Sequence, residues 1–242
     1  MSIDQESEDL LIKAEDVCQQ LKTNLRERVS PEDPSEVKTL PIYVDCFKEA
    51  LLYRSTELAE VAIDLYRRNA LVSAATITRS LLETTALFER LREKCAEFIS
   101  KHKKRGCNKD DFQKLDDSLR KISLASTNQS AEAKKRTPKQ PHEARKLARS
   151  LGTRYKFGAE EAYSSLCQFA HPNLAGCIGP FAYWHDEHVE FISDYSRSPS
   201  PENLTQLTIL LALLLEIMKT IRDEMEDLLP EFDTVCREYY SG

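Results

Sequence analysis

Glycine is scarce in this chain, with six in 242 residues. Folds of many short strands lean on glycine for the backbone angles that tight turns require, so sandwiches and barrels are disfavoured. Seven cysteines form no CxxC pair. An odd number of widely spaced thiols fits reduced cysteines and a cytoplasmic setting. The first residues, MSIDQESEDLL, are acidic and lack the basic and apolar regions of a secretory signal. The greasiest stretch, Leu207 to Met218, spans twelve residues and includes Glu216. A membrane span needs about 20 apolar residues, so a core helix is expected and no membrane partner. GxGxxG, Walker-type, GxSxG and HExxH motifs are also missing, which removes the usual signatures of dinucleotide, nucleoside triphosphate, esterase and zinc-protease chemistry.

What the chain does have is helical periodicity. Leu10, Leu11, Ala14, Val17, Cys18, Leu21 and Leu25 follow three-four spacing and predict a helix over 6–28. Pro31 and Pro34 break it. A second helix is expected over 36–68, with Asn69 separating it from a third that runs to about Ile99. The later, charged half of that third helix (Glu89, Arg90, Arg92, Glu93, Lys94) is expected to leave the core. Phe112, Leu115, Leu119 and Ile122 mark a fourth helix. Residues 126–141, with two prolines and no apolar period, read as a mobile basic loop. Short helices follow over 142–151 and 158–171. Residues 177–195 are rich in aromatic and β-branched types around His185-Asp186-Glu187, which predicts a β-hairpin. A long helix runs from Ser200 to about Leu229, and Pro230 is expected to start a separate short one. The expected fold is mainly α: one domain over 1–242, a helical bundle with a core of about 40–225 and one inserted hairpin.

Net charge is −6, but Lys101 to Lys156 holds 17 Lys and Arg against six Asp and Glu. Such asymmetry marks either a polyanion-binding segment or a solvated connector that faces the acidic remainder. Lys103, Lys104, Arg105, Lys134, Lys135 and Arg136 are the nucleic-acid-binding candidates, because they cluster without compensating acids.

Two constellations stand out chemically. Residues 70–88 carry two charges, Arg79 and Glu83, in an otherwise apolar run. A helix apolar almost all round is normally buried, and buried charge needs a partner. The pair is therefore either a structural ion pair or a site in which Arg79 binds a phosphate or carboxylate and Glu83 orients it. Tyr163, Cys167 and His171 recur every four residues on one helical face. At a helix C-terminus a protonated imidazole is favoured, so His171 serves either as a cap or as a proton-transfer group. Buried polar residues on two apolar helices seek one another, so Arg79 and Glu83 are expected near the Tyr163–His171 helix. Cys167, His171, Cys177, His185 and His188 fall within 22 residues, but their spacing matches no standard zinc pattern; no metal or cofactor is expected.

The motif Arg79-Ser-Leu-Leu-Glu83 in an apolar helix is followed some 80 residues later by Tyr163-x-x-Leu-Cys-x-x-x-His171-Pro172. Together with the hairpin and long last helix, over roughly 40–225, this resembles a bacterial branch of the HEPN-like (higher eukaryote and prokaryote nucleotide-binding) family. The resemblance implies a helical core, dimerisation or another homo-oligomer, and binding of RNA or a nucleotide. In many members it implies metal-independent RNase activity in defence or toxin systems. It implies a polar pocket formed by the two motifs; if the chain is a nuclease, His171 is the expected proton-transfer residue and Arg79 the cation that meets phosphate charge, with Glu83 and Tyr163 completing the candidate catalytic set. The family's Arg, four to six residues, then His signature has one match here, Arg136 to His142, in the proline-containing loop; neither Arg79 nor His171 has such a partner. A non-catalytic regulatory subunit that binds a protein partner is the alternative.

Overall fold

Apolar residues three and four apart recur through most of this chain, and each such run forms a helix. The computed structural model describes residues 4–30, 39–106, 108–123, 144–170, 182–191 and 201–240. Within them run α1 (Gln5–Thr23), α2 (Leu40–Arg67), α3 (Leu71–Arg105), α4 (Lys109–Ser123), α5 (Ala144–Tyr155), α6 (Ala159–Ala170) and α7 (Pro201–Tyr240). The fold is mainly α, as the periodicity predicts. The basic loop at 126–141 lies outside the described residues.

Local chemistry sets the helix ends. Asp4 caps α1: its carboxylate accepts the Ser7 amide and hydroxyl hydrogens, both at 2.8 Å. Those bonds hold the Asp4 pKa below its ordinary value. Pro41 occupies the first turn of α2, where its missing N–H has no helical partner to lose. Asn69, at φ 59, turns the chain between α2 and α3, a backbone region that asparagine tolerates better than most residues. The buried Tyr66 hydroxyl then meets Thr78 Oγ1 at 2.8 Å and pins the two helices together. Gly106 ends α3 at φ 71, after a last turn of His102, Lys103, Lys104 and Arg105 that complements the helix dipole.

Helix α3 is the hub: α2, α4, α5, α6 and α7 all pack on it. Its 35 residues extend about 50 Å. The expectation that its later half leaves the core is wrong. Phe88, Glu89, Leu91, Cys95, Phe98 and Ile99 are buried, because α5 and α7 cover that half. One apolar core runs from Leu11 in α1 to Cys236 in α7, wider than the expected 40–225.

The second correction concerns Pro230, which lies inside a continuous α7 of 40 residues. An interior proline costs about 3 kcal/mol. Burial on both sides of it offsets that cost: Met225 precedes it, and Phe232, Val235 and Cys236 follow, with Phe232 edge-on to Phe98 of α3 at 6.0 Å. By length and composition α7 could cross a membrane, yet 56% of its apolar window is buried inside the bundle.

Gly152 allows the close α5–α6 turn, since a Cβ there would stand 2.6 Å from the Phe157 carbonyl oxygen. Of the expected hairpin at 177–195, residues 182–191 are described. Ala182–Trp184 (β1) and Val189–Phe191 (β2) pair antiparallel, Trp184 opposite Val189. Each is three residues long, so strand is a minor component among the described residues.

Candidate functional site

Arg79 and Glu83 lie on the first half of α3, one turn apart, and Tyr163 lies on α6, which packs against that half. Arg79 Nε donates to Glu83 Oε1 at 3.1 Å, and its Nη2 donates to the Tyr163 hydroxyl at 3.2 Å. The guanidinium carbon also sits 5.2 Å from the Tyr163 ring centroid, within cation–π range. Arginine, glutamate and tyrosine, 84 residues apart in sequence at the extremes, therefore form one cluster.

The apolar run predicts a buried cluster, and the structure corrects this: the cluster is part-exposed. The Arg79 and Glu83 side chains keep 28% and 36% of their exposure. The reason is steric: guanidinium and carboxylate extend past the apolar arc to the rim between α3 and α6, where their hydration is kept. Partial burial pulls the Arg79 pKa down, but the Tyr163 hydroxyl and the neighbouring Cys167 and Glu83 outweigh it, so Arg79 is a firmer cation than usual. Burial raises the Tyr163 pKa, opposed by the Arg79 hydrogen bond. The phenol stays protonated at neutral pH and can donate. A guanidinium held at two nitrogens, with no hydrogen bond from Nη1 among the described residues, is positioned to take an oxyanion. His171, the fourth member of the expected catalytic set, lies outside the described residues.

The basic candidates are less bare than the sequence implies. Lys103 pairs with Glu231 at 2.5 Å, and Arg105 reaches Asp111 at 3.6 Å. Arg145 and Arg149 both bind Glu160, at 2.8 and 2.6 Å, which holds that carboxyl down at about 2. Compensating acids are thus supplied across helix contacts. Lys104 is exposed. Lys134, Lys135 and Arg136 lie outside the described residues. A cleft of about 330 Å³ between α1 and α2 is lined by Glu15, Glu60 and Asp64 with Arg67 and Cys18. Its carboxylates disfavour a polyanion there, and Arg67 is already bound to Glu15 at 2.8 Å.

Sequence reasoning missed the charges that are buried. Glu89 on α3 is 1% exposed. Arg92 grips it with Nη2 and Nε at 2.7 and 3.0 Å. Arg154 of α5 donates to it at 2.5 Å and to Glu224 of α7 at 2.5 and 2.7 Å. The Tyr155 hydroxyl donates from 3.3 Å. Burial pushes the Glu89 pKa up to about 7 against the pull of Arg154. A second buried charge, Lys48 of α2, is fully enclosed, meets Glu49 at 3.3 Å and Asp45 at 3.4 Å, and bonds Glu226 of α7. A signal for both was present. Glu89 continues the helical arc of Leu82 and Ala86, and Lys48 that of Val44 and Leu52, so phase alone points them inward.

No family model, curated protein or solved structure matches this chain.

Proposed function

We propose that this chain is a HEPN-like helical protein that binds nucleic acid or a nucleotide, with Arg79 as its phosphate-reading residue. The observation that carries the reading is the Arg79 guanidinium, held by Glu83 and Tyr163 at a solvent-reachable rim. Fixing two of its nitrogens lowers the entropy lost when a phosphate binds. In this reading the fold is a bundle with an inserted hairpin, working as a homo-oligomer in the cytoplasm in a defence or toxin setting. Lys103, Lys104, Arg105, Lys134, Lys135 and Arg136 extend the phosphate contacts. Where RNA is cleaved, cleavage is metal-independent: His171 moves the proton and Arg79 meets the developing charge.

The test is RNA binding by the full chain across a salt series. Affinity should fall steeply with salt. Arg79→Ala should weaken it roughly tenfold or more, the loss expected for one hydrogen bond to a charged group. Chelator should leave any cleavage intact, and His171→Ala should slow it about 10²–10⁴-fold. RNA binding that is absent, or insensitive to salt, removes this reading in favour of the alternative, a non-catalytic protein-interaction subunit. One observation supports that alternative. Tyr43, Phe47, Ala50 and Val61 share one face of α2 by helical spacing, and Tyr43 and Val61 are 37% and 43% exposed.

A further inference from the structure

The turn between β1 and β2 places three metal-ligating side chains on one side of a two-stranded ladder. Trp184 pairs with Val189 and Tyr183 with Glu190, which sets His185 opposite His188. The His185 amide donates to the His188 carbonyl at 2.9 Å and closes the turn. Side chains alternate faces along a strand, so His188 and Glu190 share a face, and His185 shares it as the partner of His188. The two imidazole rings stack at 4.6 Å with 18° between their planes. His185 Nε2 lies 3.5 Å from Glu190 Oε2. One ligand atom from each of the three falls within 4.8 Å of the others, and all three residues are exposed.

We infer that His185, His188 and Glu190 form a binding site for a borderline divalent cation of the Zn²⁺ class. The donor set decides the class. Two imidazoles and one carboxylate suit zinc and its neighbours, whereas magnesium and calcium take oxygen ligands. Distance supports it. Metal–ligand bonds of about 2.0–2.1 Å in a tetrahedron put donors roughly 3.3 Å apart. The His185–Glu190 pair is already near that value, and exposed side chains need only rotamer adjustments to bring His188 in. Charge supports it independently. No lysine or arginine occurs from Phe157 to Ser196, while Asp186, Glu187 and Glu190 crowd this turn. A cation here meets the negative charge of these side chains, and Coulomb attraction raises its local concentration. Three protein donors leave a fourth position for water or a donor from elsewhere. This site uses none of the residues assigned to phosphate binding, so its fate is independent of that reading.

The test is calorimetric titration of the full chain with Zn²⁺, paired with Co²⁺ absorption spectroscopy. The inference expects one saturable site per chain and a Co²⁺ spectrum without thiolate charge-transfer bands. His185→Ala, His188→Ala and Glu190→Gln should each weaken Zn²⁺ binding at least about tenfold, the lower bound seen for losing even an outer-sphere partner. Circular dichroism should be unchanged in all three, because exposed turn residues bury no core. Unchanged affinity in a His185→Ala/His188→Ala double variant would overturn the inference. So would thiolate bands with Co²⁺, which would assign the metal to the cysteines, and so would the lack of saturable uptake by the unaltered chain.

Discussion

Two of the arginine–glutamate pairs on helix α3, Arg79–Glu83 and Glu89–Arg92, lie about two and a half turns apart and have opposite fates. Arg79–Glu83 stands in a run of apolar residues yet ends at a part-exposed rim. Glu89–Arg92 stands in a run of charged residues yet is mostly buried, with side chains 2% and 16% exposed. Local composition points the wrong way for both. What decides burial is which element covers each half of the helix. The first pair borders α6 at the edge of the bundle. The second is roofed by α5 and α7, which bring Arg154 and Glu224 as counter-charges. The lesson is that helical phase is a better guide to burial than the charge of the neighbours in sequence.

The largest effect is expected at Glu89. Glu89→Ala removes the one fully buried carboxylate of this network and leaves Arg92 and Arg154 with Glu224 alone. Loss of one partner from such a buried network costs about 3–5 kcal/mol, readable as a lower urea midpoint. A loss well under 1 kcal/mol would mean that water reaches the network.

The next effect is a pH dependence. The folded chain holds the Glu89 proton more tightly than the unfolded chain, with a pKa raised from 4.5 to about 7. Stability from this group is therefore fully present below about pH 4.5 and is lost as pH rises through 7. At 1.36 kcal/mol per unit the span is about 3 kcal/mol at most. Unfolding titrations at pH 4.5, 6 and 8 should show this decline, and Glu89→Gln should flatten it.

Gly152→Ala comes third, through the α5–α6 turn that delivers Arg154. Its Cβ would press on the Phe157 backbone, and overpacking of this kind costs about 1–3 kcal/mol. The arginine should shift with the turn, so the Gly152→Ala and Glu89→Ala losses should be less than additive in a double-mutant cycle.

The smallest stability effect belongs to the exposed pair. Glu83→Ala should cost no more than about 1 kcal/mol, since part-exposed ion pairs contribute little. Under the proposed function its consequence should appear in RNA affinity instead, because Arg79 loses one of its two tethers. A stability loss as large as that of Glu89→Ala would erase the contrast between the two halves of α3.

Much of the architecture was legible from spacing. The boundary at Asn69, the inward face of α1 and the meeting of Arg79 with the Tyr163 helix all follow from periodicity and from the need of polar groups for partners. Pro230 was misleading because a local rule about helix interiors cannot include Phe232 packing on Phe98, a contact made across 134 residues. The basic run was misleading for the same reason: Glu231, which neutralises Lys103, lies far along the chain. For the candidate site, residue type and helical face were readable. Exposure was not, because it depends on where α6 ends its cover of α3.

The seam between α1 and α7 has a consequence for synthesis. The buried Ser7 hydroxyl meets Thr205 at 3.1 Å across 198 residues of sequence, and Leu11, Ala14, Val17 and Leu21 help form the core that α7 completes. A ribosome adding about 5–20 residues per second needs roughly 10–40 s to travel that distance. During that interval α1 has α2 to lean on but not α7, and its greasy side faces water or a chaperone. Nascent chains stalled before residue 201 should therefore be cut by protease within α1, whereas chains released after Tyr240 should resist.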